Sequence, residues 1–281
     1  MTIQNVGVVG GGTMGSGITQ ICAVNGLTVV MHDVSDNQLQ KGLQTIEKSL
    51  EKLLSKNKID STEKTNALKN ITLTTKLEQF SNSDLIIEAA TENIDTKLAI
   101  FSKLSQICEV GSLLAATSSS LSLTTLAAGT NRPDKVIGMH FFNPVPLMKL
   151  VEIIRALQTS DETYQAIESL TRRLGKDPVS VKDSPGFVVN RMLVPMINEA
   201  VFILHEGLAS PEEIDAAMKL GANHPIGPLA LADMIGVDVC LYVMNVLLDE
   251  FGDSKFRPCP LLKQMVKAGY LGRKSKRGFF D

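Results

Sequence analysis

No apolar run in this chain reaches the eighteen or so residues needed to cross a bilayer, so no membrane partner is expected. Charge of one sign is missing too. The 28 Lys and Arg against 30 Asp and Glu leave a net charge of −2. There is no basic excess or stripe of the kind that follows a phosphate backbone, so no nucleic-acid partner is expected. Cysteine is sparse. Cys22, Cys108, Cys240 and Cys259 lack C-x-x-C spacing, which argues against a zinc site and against a disulfide framework. No metal is expected, and Cys22 and Cys240, in apolar helical stretches, read as buried thiols. The N-terminus reads directly into a strand, so no signal or transit peptide is expected. These readings together predict a soluble, cytoplasmic protein. Its 281 residues suffice for one large domain or two modest ones.

Glycine is where the chain spends its first signal. An apolar segment, Val6-Gly7-Val8-Val9, leads straight into Gly10-x-Gly12-x-x-Gly15, and a second apolar strand ends in Asp33. Strand, tight turn, helix, strand and carboxylate within about thirty residues is a dinucleotide-binding arrangement. Gly10 allows the sharp turn, Gly12 lets a pyrophosphate approach the backbone, and Gly15 lets the helix pack closely on the strand. The cofactor-binding residues of this segment are read as Gly10, Gly12, Thr13, Met14, Gly15 and Asp33. A P-loop would need Gly-Lys-Ser/Thr, and Gly15-Ser16-Gly17 has no lysine. Asp33 would accept hydrogen bonds from an adenosine ribose and repel a 2′-phosphate, so NAD is favoured over NADP.

Strands alternate with helices through residue 184. Strands are expected near 27–33, 70–75, 83–89, 112–116, 135–142, 147–154 and 178–182, with a long charged helical arm at about 35–70. The fold class is therefore α/β, a doubly wound and mostly parallel sheet, with the pair 135–142 and 147–154 a candidate antiparallel exception. After Asp183-Ser184-Pro185-Gly186 the pattern becomes helical, with helices near 187–206, 210 onward, 228–250 and 259–269. The expected domains are 1–184, the dinucleotide-binding part, and 185–281, a helical part for substrate binding and dimerisation. The lysines between 44 and 58 read either as a solvated helical face or as an arm that meets an anionic ligand.

Hydride chemistry needs a proton acceptor, and the chain offers four histidines. His32 precedes Asp33 inside a strand and reads as structural, while His205 and His224 sit at a helix end and before a proline. His140 lies at the C-terminal end of a strand, where open α/β sheets place their ligands. A strand-turn-strand excursion through Asn143-Pro144 can return Glu152 to its side, and a carboxylate there would fix the imidazole tautomer. On residues alone His140 is either such a base or a packing residue, and Ser119 and Asn190 read as polar residues at turns.

Met139-His140-Phe141-Phe142-Asn143-Pro144-Val145-Pro146, Met148-Lys149-Leu150-Val151-Glu152 and Asp183-Ser184-Pro185-Gly186-Phe187-Val188-Val189-Asn190-Arg191 strongly resemble the 3-hydroxyacyl-CoA dehydrogenase family. The likeness runs from the glycine loop to Gly272-Arg-Lys-Ser-Lys-Arg-Gly-Phe-Phe280, and the short bacterial 3-hydroxybutyryl-CoA dehydrogenases look most similar. The resemblance implies His140 as general base oriented by Glu152, with Ser119 and Asn190 hydrogen-bonded to substrate oxygens at a site between the two domains. It also implies NAD contacts from Glu92, Lys97, Ser119, Asn143 and Lys274, and contacts to coenzyme A from Ser49, Lys52, Lys56 and Ser119. It further implies an acyl-CoA substrate, acetoacetyl-CoA or 3-hydroxybutyryl-CoA, and a homodimer or higher homo-oligomer. Competing readings are a dehydrogenase of longer 3-hydroxyacyl-CoA or of another 3-hydroxy acid, and a crystallin-like NAD-binding protein without activity. Thr117 departs from the family's usual asparagine, exchanging an amide for a hydroxyl.

Overall fold

Val6, Val8 and Val9 are β-branched and buried, which suits the strand Asn5–Val9 (β1) to the middle of a sheet covered on both faces. The computed structural model describes residues 2–119 and 121–280, so Ser120 of the serine run lies outside the described residues. After β1 come α1 (Thr13–Val24), β2 (Thr28–His32), α2 (Asp36–Ser55), α3 (Ser61–Lys69), β3 (Ile71–Thr74), β4 (Leu85–Glu88), α4 (Ile94–Ile107) and β5 (Leu113–Ala116). The sheet is completed through α5 (Leu123–Ala128), β6 (Val136–Phe141), β7 (Leu150–Arg155), α6 (Asp161–Arg173) and β8 (Asp177–Lys182). The described strands order as β3-β2-β1-β4-β5-β6-β7-β8. Neighbours run parallel, except that β6 and β7 are antiparallel. The order reverses between β1 and β4, which opens a crevice at the carboxyl ends of those strands.

By its internal contacts the chain divides into Met1–Asp183 and Ser184–Asp281. The first unit packs α1, α2 and α6 on the sheet around Ile18, Leu39, Ile46, Leu85, Ile87, Met139 and Ile167. The second consists of α7 (Val189–His205), α8 (Pro211–Gly221), α9 (Pro228–Ile235), α10 (Val237–Phe251) and α11 (Pro260–Lys267). These helices enclose Ile197, Val201, Leu229, Val237, Met244, Leu247 and Leu262. Among its described residues the only β pairing is an isolated bridge, Gly272 with Arg277. No single helix there or elsewhere among the described residues is long and apolar enough to cross a membrane. All four cysteines are buried and unpaired. Burial pushes the thiols of Cys22 and Cys240 up to about 12 and that of Cys108 to about 11, and raises that of Cys259 as well.

Three features refine the expected pattern. The arm at 35–70 is two helices, because Asn57 turns left-handed (φ 53°) and Asp60 with Glu63 forms a capping box that starts α3 afresh. The stretch 228–250 is also two helices, bent by 96° at Gly236, whose φ of +114° no helix accommodates. The short helix α5, capped by the Ser122 hydroxyl on Thr125 N, was not expected from the pattern.

Candidate active site

The glycine turn is built by exclusion. Gly10 has φ +108°, and a Cβ on it would lie 2.7 Å from the Ala89 carbonyl oxygen. A Cβ on Gly15 would collide with the Gly10 carbonyl, so α1 can sit against the turn only with glycine there. Around Gly12, by contrast, a Cβ would meet nothing within 4 Å: the space above the turn is open. The helix N-termini of the first unit differ in a telling way. Helices α2, α3, α4, α5 and α6 all have a side-chain cap at the N-terminus. At α1, Gly12 supplies none, and the first turn carries no acidic residue. The N–H groups of that turn thus keep their dipole end available to an anion, and Thr13 and Met14 lie within it. Asp33 stands beside the turn: its Oδ2 accepts from Gly11 N at 2.9 Å and its Oδ1 from Ser35 N at 3.1 Å. Open backbone, uncapped helix and adjacent carboxylate fit the pyrophosphate and ribose of a dinucleotide.

Two residues that hold this turn escaped the sequence reading. Gln38 donates its amide to Gly11 O at 2.8 Å, and Ser16 Oγ donates to the same oxygen at 3.1 Å. Ser35-x-x-Gln38 is a capping-box spacing, and that pattern was the available signal. Asp33 takes the Ser35 N–H that the glutamine would otherwise have claimed, which releases Gln38 to brace the glycine turn.

His140 and Glu152 face each other directly in the antiparallel β6–β7 register. Cross-strand neighbours in such a pair stand about 5 Å apart at Cβ, close enough for one hydrogen bond between side chains. Here His140 Nδ1 and Glu152 Oε2 are 2.7 Å apart. Both groups are withdrawn from water, at 5% and 1% exposure, so the contact is made in a low-dielectric setting, where a hydrogen bond is stronger than in water. An ionised carboxylate only accepts, which puts the proton on Nδ1 and makes Nε2 the basic nitrogen. The Phe142 ring lies 4.6 Å from the imidazole, tilted by 55°. Asn143 follows in the exposed turn, before a cis bond to Pro144.

Glu92 and Ser119 also come together. Glu92 Oε1 accepts from Ser119 N at 3.1 Å and from Ser119 Oγ at 3.4 Å, while Oε2 accepts from Ser118 Oγ at 2.6 Å. Lys97 lies elsewhere: it is 1% exposed, and its ammonium is bonded to Glu88 Oε2 at the carboxyl end of β4. Glu88 Oε1 in turn accepts from Ala90 N at 2.8 Å and Thr91 N at 3.3 Å. Glu88 was not singled out from sequence, although a carboxylate ending an apolar Leu-Ile-Ile strand is a signal in itself.

On the arm, Ser49 is half-buried in α2, and Lys52 and Lys56 are exposed at its C-terminal end. In the second unit Asn190 is the second residue of α7 and half-buried. Lys274 donates to Asp238 Oδ2 at 2.6 Å. The backbone after Lys274 is strapped down by Asp233, buried, whose two oxygens accept from Phe279 N and Phe280 N, each at 2.9 Å.

Comparison with known proteins agrees with this geometry. Residues 5–184 match the 3-hydroxyacyl-CoA dehydrogenase NAD binding domain, and residues 186–281 match the 3-hydroxyacyl-CoA dehydrogenase C-terminal domain. A probable 3-hydroxybutyryl-CoA dehydrogenase of Bacillus subtilis is 51% identical over 281 residues, covering 100% of this chain and 98% of its own. A 3-hydroxybutyryl-CoA dehydrogenase of Clostridioides difficile is 51% identical over 278 residues, covering 99% of both chains. The crystal structure of (S)-3-hydroxybutyryl-CoA dehydrogenase from Ralstonia eutropha superposes with a TM-score of 0.97 at 57% identity, over 99% of each chain. A glycine turn that fits a dinucleotide and full-length matches on both units lead to one conclusion: this chain belongs to the 3-hydroxyacyl-CoA dehydrogenase family and is an NAD-binding oxidoreductase.

Proposed function

We propose that this enzyme interconverts (S)-3-hydroxybutyryl-CoA and acetoacetyl-CoA, with His140 as general base and acid. Bound NAD supplies the acceptor of the hydride leaving C3, or in its reduced form the donor. His140 Nε2 takes the proton of the 3-hydroxyl, and in the reverse direction the imidazolium returns it to the carbonyl oxygen. Glu152 holds the ring in the tautomer with Nδ1 protonated and stabilises the imidazolium as it forms. Ser119 and Asn190 donate to substrate oxygens, where charge grows during transfer. Glu92, Lys97, Asn143 and Lys274 serve NAD, Lys97 by way of the buried Glu88 carboxylate that holds its ammonium, and Ser49, Lys52 and Lys56 serve the anionic coenzyme A. The observation that carries this reading is the 2.7 Å contact between His140 Nδ1 and Glu152 Oε2 in a buried setting, at the carboxyl end of β6. The short-chain substrate rests on the names of the bacterial relatives. Self-association as a homodimer is part of the same reading; the second unit exposes Met192, Leu208 and Leu220.

The direct test is the absorbance of NADH on mixing with acetoacetyl-CoA. Loss of absorbance above background is expected, and none at saturating substrate would overturn the enzymatic reading. A second series with longer 3-ketoacyl-CoA esters checks chain length: kcat/KM should be highest for the four-carbon ester.

Cofactor preference gives a further prediction. Asp33→Ala removes the acceptor of Gly11 N and the charge that would oppose a 2′-phosphate. NAD affinity should fall by about tenfold, the scale of one lost bond to a charged group, and the preference over NADP should shrink. Asp33→Asn keeps an oxygen for Gly11 N but not the charge, so it should relax the preference with a smaller loss of NAD binding. Paired measurements of KM for the two cofactors decide this, and an unchanged ratio in both variants would refute the assignment.

A further inference from the structure

The turn that follows His140 is held from below by a buried lysine that no step of the chemistry uses. Lys176, just before β8, is 6% exposed. Its ammonium donates to Val145 O at 2.6 Å and to Met148 O at 2.8 Å. Both carbonyls belong to the 142–149 turn that joins β6 to β7 and carries Asn143. Both contacts are to carbonyls rather than to a carboxylate, so the charge is kept there against its own desolvation. Burial, and secondarily the nearby charge of Lys149, hold the pKa of Lys176 below the ordinary lysine value. A side chain retained under that penalty is not filling space, since Met would fill it without the charge.

The rest of the turn explains what the lysine is for. On one side Val145 is buried against α1, where a Cβ on Gly17 would lie 2.8 Å from the Val145 Cβ. On another lies a cavity of about 430 Å³ lined in part by Pro146, Lys149, Leu174 and Lys176. Leu147 N and Met148 N both turn inward to Pro144 O, at 3.0 Å each, and leave the Val145 and Met148 carbonyls for the lysine.

We infer that Lys176 is a positioning residue: by gripping Val145 O and Met148 O it fixes the β6–β7 turn and so holds His140 and Glu152 in register. The inference rests on the proposed role of His140, and its test separates the two. The variants are Lys176→Met, which keeps the stem and loses the donors, and Lys176→Gln, which keeps two N–H donors on a shorter stem. Thr171→Val, a buried α6 substitution that loses the side-chain bond to Ile167 O but keeps the backbone bond from Lys176 N to Thr171 O, is the control for lowered stability beside Lys176.

Two readouts apply. The first is steady-state kinetics. Misplacing a reacting group by about 1 Å costs up to about 100-fold in rate, so Lys176→Met should lower kcat by about 10- to 100-fold, with KM for acetoacetyl-CoA within about twofold. Lys176→Gln should fall between it and the parent protein, and Thr171→Val should keep its kcat at a comparable melting temperature. The second is proton NMR of the cofactor-free protein: the His140 Nδ1 proton, identified by its loss in His140→Gln, should shift or broaden in Lys176→Met and not in Thr171→Val. An undisturbed His140 signal with unchanged kcat in Lys176→Met would overturn the inference, as would equal loss of kcat in the control. Should Lys176→Met fail to fold, Lys176→Gln is read by the same criteria. Should the parent protein prove inactive toward acetoacetyl-CoA, the functional reading fails, while the NMR comparison still decides the role of Lys176.

Discussion

His140→Gln is expected to lower kcat by about 10²- to 10⁴-fold, the range that a positioned proton-transfer group contributes, while NADH affinity stays near that of the parent protein. Glutamine is the informative replacement because Glu152 is 1% exposed and bonded to the ring. Alanine would strand that carboxylate in the interior, and the lost activity would be confounded with lost stability. The glutamine amide can donate to Glu152 Oε2 but cannot take up a proton at the working pH, so only the proton chemistry is removed. Glu152→Gln should act through the same step. Its amide no longer favours the tautomer protonated at Nδ1, and the imidazolium loses its counter-charge. The two substitutions disable one unit, so the double variant should be little worse than the worse single variant. Saturation kinetics together with an NADH titration check this. An unchanged kcat in His140→Gln would remove the residue from the mechanism, and additive losses would mean that Glu152 works independently of it.

Glu88→Leu should be among the most damaging substitutions for stability, at about 3–5 kcal/mol, the cost of taking one partner from a buried ion pair. It leaves the Lys97 ammonium, 1% exposed, without its carboxylate, and it also deprives Ala90 N and Thr91 N of their acceptor. The double variant Glu88→Leu/Lys97→Met removes both charges from the interior and should recover much of the loss, leaving mainly the two orphaned N–H groups. The consequences reach the cofactor side, because the segment between Glu88 and α4 carries Glu92, the residue bound to Ser118 and Ser119. NADH binding should therefore weaken in the single variant. Urea unfolding followed by circular dichroism measures the stability term. If the double variant were as unstable as Glu88→Leu, the ion pair would not be the source of the loss.

What the sequence could and could not convey follows from the range of the interactions involved. His140 and Glu152 were legible because both lie on one hairpin-like excursion. Proline and asparagine mark its turn, and the antiparallel return sets Glu152 directly opposite His140, on the same face of the sheet. The glycine turn was legible because each glycine answers a local steric demand. Glu88 and Lys97 were not paired from sequence, since their meeting depends on how α4 settles over the end of β4, which no periodicity encodes. The bend at Gly236 was hidden for another reason. Leu229, Ala232, Val237, Cys240, Val243 and Met244 are all buried, so the apolar pattern runs unbroken across the corner, and one glycine is too weak a mark to interrupt it. The α2–α3 break did carry signals, Asn57 and the Asp60-x-x-Glu63 box, but the dense charge around them reads equally well as one solvated helix.

The four buried thiols give the folded chain a built-in gauge. With Cys22 and Cys108 in the first unit and Cys240 and Cys259 in the second, a thiol-labelling reagent in native buffer reaches a sulfur only when its surroundings open. Labelling rates read cysteine by cysteine would rank the opening free energies of the two units within a single sample, with no probe introduced.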